Sequence, residues 1–302
     1  MDDHRKFNMP YVVVFVPAHN EEGSIGRVIE AIDKSYRGDA PRDYVLDIVV
    51  VDDGSSDETA RIARQMKVKR VISHPYNRGL GAATRTGMQV AYEMEADVAV
   101  KIDADFQHDP EDIERVIRPI LEDRADCVFG SRFLGGLQYK MPLYRSLGNK
   151  FFGWMTGTII KQKVTDGQTG LMAFNRRYLS RFTILRDYNE TQQLIIDSWG
   201  KGMRVIEVSV LFHKRVSGQS FISWKYPLEV IPSILRACAH ANPLRVFLTL
   251  GLAVTLTGVL IAAAWISGLT RFPGDAAASI LIVVGAQIIL FGFLADIIKF
   301  NR

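Results

Sequence analysis

Short apolar runs alternate with amphipathic stretches through most of the chain, and two long uncharged runs close it. Tyr11–Val16, Leu46–Val51, Lys69–Ser73 and the run from Val98 to Ile102 read as buried strands. An apolar run of that length, bounded by turn residues, suits a strand covered on both faces. The spacing of Ile25, Val28, Ile29 and Ile32 predicts a helix with one apolar face. Asp57 is placed to cap a second helix, and a third begins after Gly79-Leu80-Gly81. Asp109-Pro110-Glu111-Asp112 is a further helix start, with a capping acid, proline in the first turn and more acids behind it. A fifth strand precedes Gly130-Ser131-Arg132, and a late one spans Leu171–Phe174. This alternation predicts an α/β fold with a Rossmann-like, mostly parallel sheet and helices on both faces.

The tail is different in kind. Val246 to Gly268 carries no charge and is long enough to cross a hydrocarbon core of about 30 Å at about 1.5 Å per residue. A second uncharged run covers Ala276–Ala295, with Gln287 a polar residue within it, and predicts a helix over about 276–296. The short link from Leu269 to Asp275 makes the pair a transmembrane helical hairpin. Arg236 and Arg245 precede it and Lys299 and Arg302 follow it, against Arg271 alone in the link. The positive-inside rule then predicts an integral membrane protein with both termini in the cytoplasm. The expected organisation is a cytoplasmic domain over 1–225, a juxtamembrane, interfacial segment over 226–245 and the hairpin over 246–302.

Composition changes this picture little. A formal net charge of +4 is mildly basic, which suits anionic lipid or phosphate and gives no reason to expect nucleic acid. Cys127 and Cys238 provide no disulfide framework, which fits a reducing compartment. Met1–Pro10 is polar and Tyr11–Val16 is short, so no signal peptide is expected.

Candidate chemistry gathers at the predicted strand ends, where ligands bind in such sheets. Asp103 and Asp105 flank Ala104 where the fourth strand ends, and alternation lets both point the same way. With Gln107 they form a set of hard oxygen donors suited to Mg²⁺ or Mn²⁺ carrying substrate phosphates. Asp103 to Glu114 also has the span of an EF-hand loop, but His108 stands where that loop needs glycine. A phosphatase-type Asp-x-Asp has Gln107 where threonine or valine belongs, and a solvated strand end is the plain alternative. Gly79 and Gly81 could let backbone N–H groups approach a phosphate, or could simply form a tight turn.

Four motifs in order carry a resemblance: Pro17-Ala18-His19-Asn20-Glu21, Val51-Asp52-Asp53-Gly54-Ser55, Asn77-Arg78-Gly79 and Asp103-Ala104-Asp105-Phe106-Gln107. Together they resemble the family 2 glycosyltransferases of the GT-A fold. Within that family the likeness is to polyprenyl-phosphate sugar transferases of the dolichyl-phosphate mannose synthase type. It spans roughly residues 10–225. The resemblance implies that Pro17, Glu21, Val51 and Asp53 hold the donor nucleoside, with His19, Asp52 and Arg78 in the same motifs. It also implies Asp103, Asp105 and Gln107 as metal ligands and the Ala104 backbone beside the nucleotide.

Two phosphate-bearing substrates call for guanidinium groups, whose planar fork matches phosphate oxygens. Arg132, Arg145 and Arg215 fall in matching motifs and are the expected phosphate and acceptor contacts. Asp166, in Thr165-Asp166-Gly167-Gln168-Thr169-Gly170, resembles the acceptor-side loop. Asp105, Arg132 and Arg145 are the expected catalytic residues. Two departures stand out: Phe221 replaces a usual lysine, with Lys214 or Lys225 as substitutes, and Gln193 takes the place of a usual acid. The Gln-x-x-Arg-Trp signature of processive synthases is missing from 190–197. Phe151–Met155 and Phe221–Tyr226 mix aromatic and basic residues, a composition suited to the headgroup region or to a buried helix face.

The resemblance implies an inverting, metal-dependent transfer of one sugar from a nucleotide-sugar to polyprenyl (dolichyl-type) phosphate at the cytoplasmic membrane face. GDP-mannose is the first expectation for the donor, with UDP-glucose or a UDP-N-acetylhexosamine as alternatives. A sugar-phosphate nucleotidyltransferase lacks its Gly-rich loop after Val16. A membrane-anchored sugar-nucleotide binder without activity is the competing class.

Overall fold

The structure is a computed structural model and describes residues 9–36, 42–135, 153, 157, 162, 164–187, 190–213, 243–268 and 274–300. They fall into two compact units, one within 1–234 and one within 235–302.

Among the described residues the first unit is built on seven strands. They are β1 (Tyr11–Ala18), β2 (Val45–Asp52), β3 (Arg70–Ser73), β4 (Val98–Lys101), β5 (Cys127–Ser131), β6 (Met172–Asn175) and β7 (Val205–Ser209). They form one sheet in the order β3-β2-β1-β4-β6-β5-β7. All pairings are parallel except those of β6, which runs antiparallel between β4 and β5. The helices of this unit are α1 (Ile25–Tyr36), α2 (Thr59–Gln65), α3 (Leu80–Glu93), α4 (Asp112–Leu121), α5 (Arg132–Gly135), α6 (Arg176–Leu179) and α7 (Glu190–Gly200).

Both faces of the sheet are covered, which is why its central strands show no polar alternation. Val12, Val14 and Val16 of β1 join Val98, Val100, Val128 and Ala173 on one face, against Ile25, Val28, Ile29 and Ile32 of α1 and Ile113, Val116 and Ile117 of α4. On the other face α3 crosses Phe15 at Gly87, where an added Cβ would overlap the phenyl ring. Phe129 and Phe174 meet edge to face at 5.9 Å there, and Phe174 lies 5.4 Å from the Tyr178 ring.

β1 runs two residues beyond its predicted end and includes Pro17, which pairs in register with Val51. A proline in a central strand forfeits a ladder hydrogen bond. Here β4 covers β1 only from Val12 to Phe15, so no partner on that side is deprived. α2 and α4 begin two and three residues after Asp57 and Asp109, at Thr59 and Asp112, because those acids hold the turns that lead in: Asp57 Oδ1 accepts the Thr59 N–H at 3.0 Å, and Asp109 Oδ1 accepts the Glu111 N–H at 3.0 Å.

The second unit comprises α8 (Pro243–Ile266) and α9 (Gly274–Phe300). Both are long and apolar enough to cross a membrane, with mean hydropathies of 2.3 and 2.4. They extend beyond the uncharged runs because helical hydrogen bonding continues through flanking polar residues, which hydropathy does not register. Gly251 and Gly258 of α8 face Gly285, Ile289, Ala278 and Ile282 of α9, and Gly292 faces Phe247. Close backbone approach at small residues is how apolar helices associate without a hydrophobic drive.

Replacing Gly87 by alanine should force α3 off Phe15 and lower stability by about 1–3 kcal/mol, the usual cost of overpacking. A denaturant titration of the full chain in detergent, with Gly26→Ala as the tolerated control, checks this.

Candidate active site

The carboxyl ends of β1, β2 and β4 converge on one edge of the sheet. At the end of β1, His19 Nδ1 lies 2.9 Å from the Asp53 carbonyl oxygen, and the Asp53 N–H donates to the Ala18 carbonyl at 2.8 Å. Glu21 is buried; its N–H donates to Thr59 Oγ1 at 2.8 Å and its carboxylate accepts from Ser24 Oγ at 2.7 Å. Asp52 accepts the Ser55 N–H at 3.1 Å. The first two motifs therefore meet, as their spacing at two parallel strand ends requires.

Asp53 organises the third motif. Its Oδ1 accepts from His74 Nδ1 at 2.6 Å and from the Arg78 N–H at 3.1 Å, while Oδ2 accepts the Gly79 N–H at 2.7 Å. The Gly81 N–H donates to the Asp187 carbonyl at 2.8 Å. Of the two readings of Gly79 and Gly81, the tight turn holds, because both amides are engaged by protein oxygens. Gly79 has φ of 99°, which glycine adopts without strain. The Arg78 side chain is exposed.

Beyond β4 the backbone turns sharply at Phe106, whose φ is 60° and whose ring lies 4.9 Å from the Arg27 guanidinium. Asp105 accepts the Gln107 N–H at 3.1 Å. Gln107 and His213 pair through backbone and side chain: the His213 N–H donates to Gln107 O at 2.8 Å, and Gln107 Nε2 donates to His213 O at 3.3 Å. That leaves the Gln107 amide oxygen as the atom a cation could use. Among the described residues no three acidic, histidine or cysteine side chains form a metal cluster. Two carboxylates and an amide oxygen fit a hard divalent cation whose remaining ligands come from a phosphate-bearing substrate.

Two buried ion pairs lie beside these residues. Lys101 is completely buried, with Nζ 2.6 Å from Asp103 Oδ1 and 3.4 Å from Glu190 Oε1. Burial pushes its pKa down, but Asp103 and Glu190 more than offset this and hold it above the usual lysine value. Arg132 grips Asp166 at two points, Nε to Oδ2 at 2.6 Å and Nη2 to Oδ1 at 3.2 Å, and also donates to the Gln168 carbonyl. Its guanidinium carbon sits 4.4 Å over the Phe212 ring. The two expected acceptor-side residues are thus partners of each other. Glu207 of β7 accepts the N–H groups of Thr165 and Asp166 at 2.9 and 3.0 Å and fixes their loop. Burial pushes the Glu207 carboxyl up despite those hydrogen bonds.

Gln193, in place of the usual acid, accepts the Leu185 and Arg186 N–H groups at 3.0 Å each. Arg145, Arg215, Lys214, Phe221 and Lys225 lie outside the described residues, as do the two aromatic–basic segments apart from Gly153.

Sequence reasoning overlooked Lys101, Glu190, Glu207 and Phe212. A lysine inside an otherwise apolar strand was the available signal for the first. His108 was noticed only as the residue that spoils an EF-hand. It is buried, and its Nε2 accepts the Gly170 N–H at 3.1 Å, so a neutral ring carries its proton on Nδ1. Burial pushes its pKa down to about 4, with Asp103, Arg132, Asp166 and Lys101 close enough to act on it.

A family model described as Glycosyl transferase family 2 matches residues 13–183, more than half of the chain. The chain belongs to glycosyltransferase family 2. This transferase is 32% identical over 219 residues to the UDP-N-acetylglucosamine–dolichyl-phosphate N-acetylglucosaminyltransferase of Methanococcus voltae, covering 66% of this chain and 84% of that one. It is 30% identical over 233 residues to the dolichol-phosphate mannosyltransferase of Pyrococcus furiosus, covering 74% and 63% respectively. Glucosyl-3-phosphoglycerate synthase from Mycobacterium tuberculosis, solved with Mn²⁺, UDP-glucose and phosphoglyceric acid, superposes with a TM-score of 0.61 at 20% identity. That likeness covers 78% of this chain and 81% of the other, and it identifies the mixed sheet as GT-A.

Because His108 is neutral in the folded state, the unfolded chain binds the extra proton between about pH 6.5 and pH 4. Stability from this site is complete above about pH 6.5 and is lost toward pH 4, by about 3 kcal/mol. Denaturation midpoints in EDTA across that window should fall for the wild type and flatten for His108→Gln.

Proposed function

We propose that this transferase moves one sugar from a nucleotide-sugar to a polyprenyl phosphate at a membrane surface. The observation that supports this best is the hard-oxygen set Asp103, Asp105 and Gln107 at the sheet's carboxyl edge. It occurs in a family 2 chain that also carries two apolar helices of membrane-spanning length. Both named relatives act on dolichyl or dolichol phosphate by their descriptions.

In this reading Pro17, His19, Glu21, Val51, Asp52, Asp53 and Arg78 form the donor nucleoside side, and the Ala104 backbone lies against the nucleotide. Asp103, Asp105 and Gln107 hold Mg²⁺ or Mn²⁺. When bound, the cation offsets the negative charge that develops on the departing diphosphate. The acceptor phosphate is already an anion, so its oxygen attacks the anomeric carbon without a strong general base. The bond from that carbon to the diphosphate breaks as the new one forms, inverting its configuration. Arg132, with its plane set by Asp166, and Arg145 and Arg215 orient the phosphates. The basic residues outside the hairpin support a reading with both termini, and the catalytic unit, on the cytoplasmic side.

GDP-mannose remains our first reading of the donor, giving dolichyl-phosphate mannose. UDP-N-acetylglucosamine is the second, favoured by the Methanococcus voltae relative. Purified protein in detergent, polyprenyl phosphate, Mn²⁺ or Mg²⁺ and a panel of labelled nucleotide-sugars separate them. Label should enter the lipid phase from one donor and be blocked by EDTA. Asp105→Ala should lower kcat by about 10²–10³-fold, the usual cost of losing a group that stabilises developing charge. Nucleotide binding without transfer from any donor would defeat the proposal in favour of a non-catalytic sensor.

A further inference from the structure

Lys101 takes no part in the transfer as proposed, yet it is the most completely buried cation among the described residues, at 0% exposure. Strand alternation places it one pleat behind Asp103 on the same face. Its ammonium is shared between Asp103 Oδ1, at 2.6 Å, and Glu190 Oε1 at the start of α7, at 3.4 Å. A buried ammonium is costly unless paired, and a pair would suffice. Here there are two carboxylates, and one of them, Asp103, is a donor set aside for a divalent cation in the reading above. Any such cation and Lys101 therefore contend for the same carboxylate.

We propose that Lys101 is a positioning residue that holds Asp103 as its counterion and so makes divalent-cation binding depend on the donor diphosphate. The inference rests on the reading of Asp103 as a metal ligand. At short range, in surroundings less polar than water, a fixed ammonium beside a ligand carboxylate repels an incoming dication strongly. A diphosphate brings negative charge that offsets the ammonium, so cation and donor bind as a couple. Glu190 tunes the balance by taking a share of Lys101. Without its charge, Lys101 belongs to Asp103 alone.

The two partners therefore predict shifts of opposite sign, which a merely structural ion pair would not produce. Mn²⁺ binding to the detergent-solubilised full chain is measured by electron paramagnetic resonance, without nucleotide and with GDP or UDP. Lys101→Met should tighten nucleotide-free Mn²⁺ binding by about tenfold or more and shrink the gain that the diphosphate brings. Glu190→Gln should weaken nucleotide-free binding. The double variant Lys101→Met/Glu190→Gln leaves no unpaired buried charge, guards against misfolding of the single variant and should also bind more tightly than the wild type. Nucleotide-free affinity that is unchanged or weaker in the folded double variant would overturn the inference and leave the metal site standing. A wild-type protein that binds no Mn²⁺ even with GDP or UDP would remove the metal reading itself, and this inference with it.

Discussion

A carboxylate at the edge of a sheet buried on both faces must be held by donors, because its desolvation is otherwise uncompensated. That demand shapes the whole candidate site. Asp53 is held by His74 and two backbone amides, Asp103 by Lys101, Asp166 by Arg132, and Glu207 by the amides of Thr165 and Asp166. All of these links except Lys101–Asp103 join segments more than twenty residues apart, and Lys101 reaches on to Glu190. The acids thus order the loops around the site as well as forming part of it.

β6, the one antiparallel strand among the described residues, makes the Asp166 and Glu207 pairings possible. β6 runs against β4 and β5, so its first residues, and the loop before it, arrive at the edge where β4 and β5 end. Gly170 is thereby placed so close to Asp103 that any side chain would collide with the carboxylate, and its N–H reaches His108. The same arrival brings Asp166 onto Arg132 at the end of β5. A purely parallel sheet would have delivered this loop to the opposite edge. The motifs at the ends of β1, β2 and β4 and the arginine–aspartate pair share one edge because of this inversion.

The helical hairpin obeys a different rule. Lipid tails are as apolar as leucine, so the helices gain nothing by hiding side chains from them, and close packing at glycines takes over. Gly251 and Gly258, seven residues apart as are Gly285 and Gly292, give α8 and α9 one common face. Thr255, whose hydroxyl donates to the Gly251 carbonyl at 2.8 Å, sits on that face without leaving a polar atom unpaired.

Local pattern alone determined β1 to β6, the apolar hairpin and the four motifs, because each is a matter of spacing within one or two dozen residues; β7, a half-buried strand, escaped it. Asp103, Asp105 and Gln107 were legible as hard donors for the same reason. The pattern could not assign Lys101 to Glu190, Arg132 to Asp166 or His108 to Gly170, since those partners meet only through the order of strands and the reversed β6. Nor could it choose between a phosphate cradle and a tight turn at Gly79 and Gly81. That choice depended on Asp53 and on the Asp187 carbonyl, which the fold brings to those two amides. Periodicity reports which side of its own element a residue faces; only tertiary structure decides which charge stands opposite, and burial makes that charge matter.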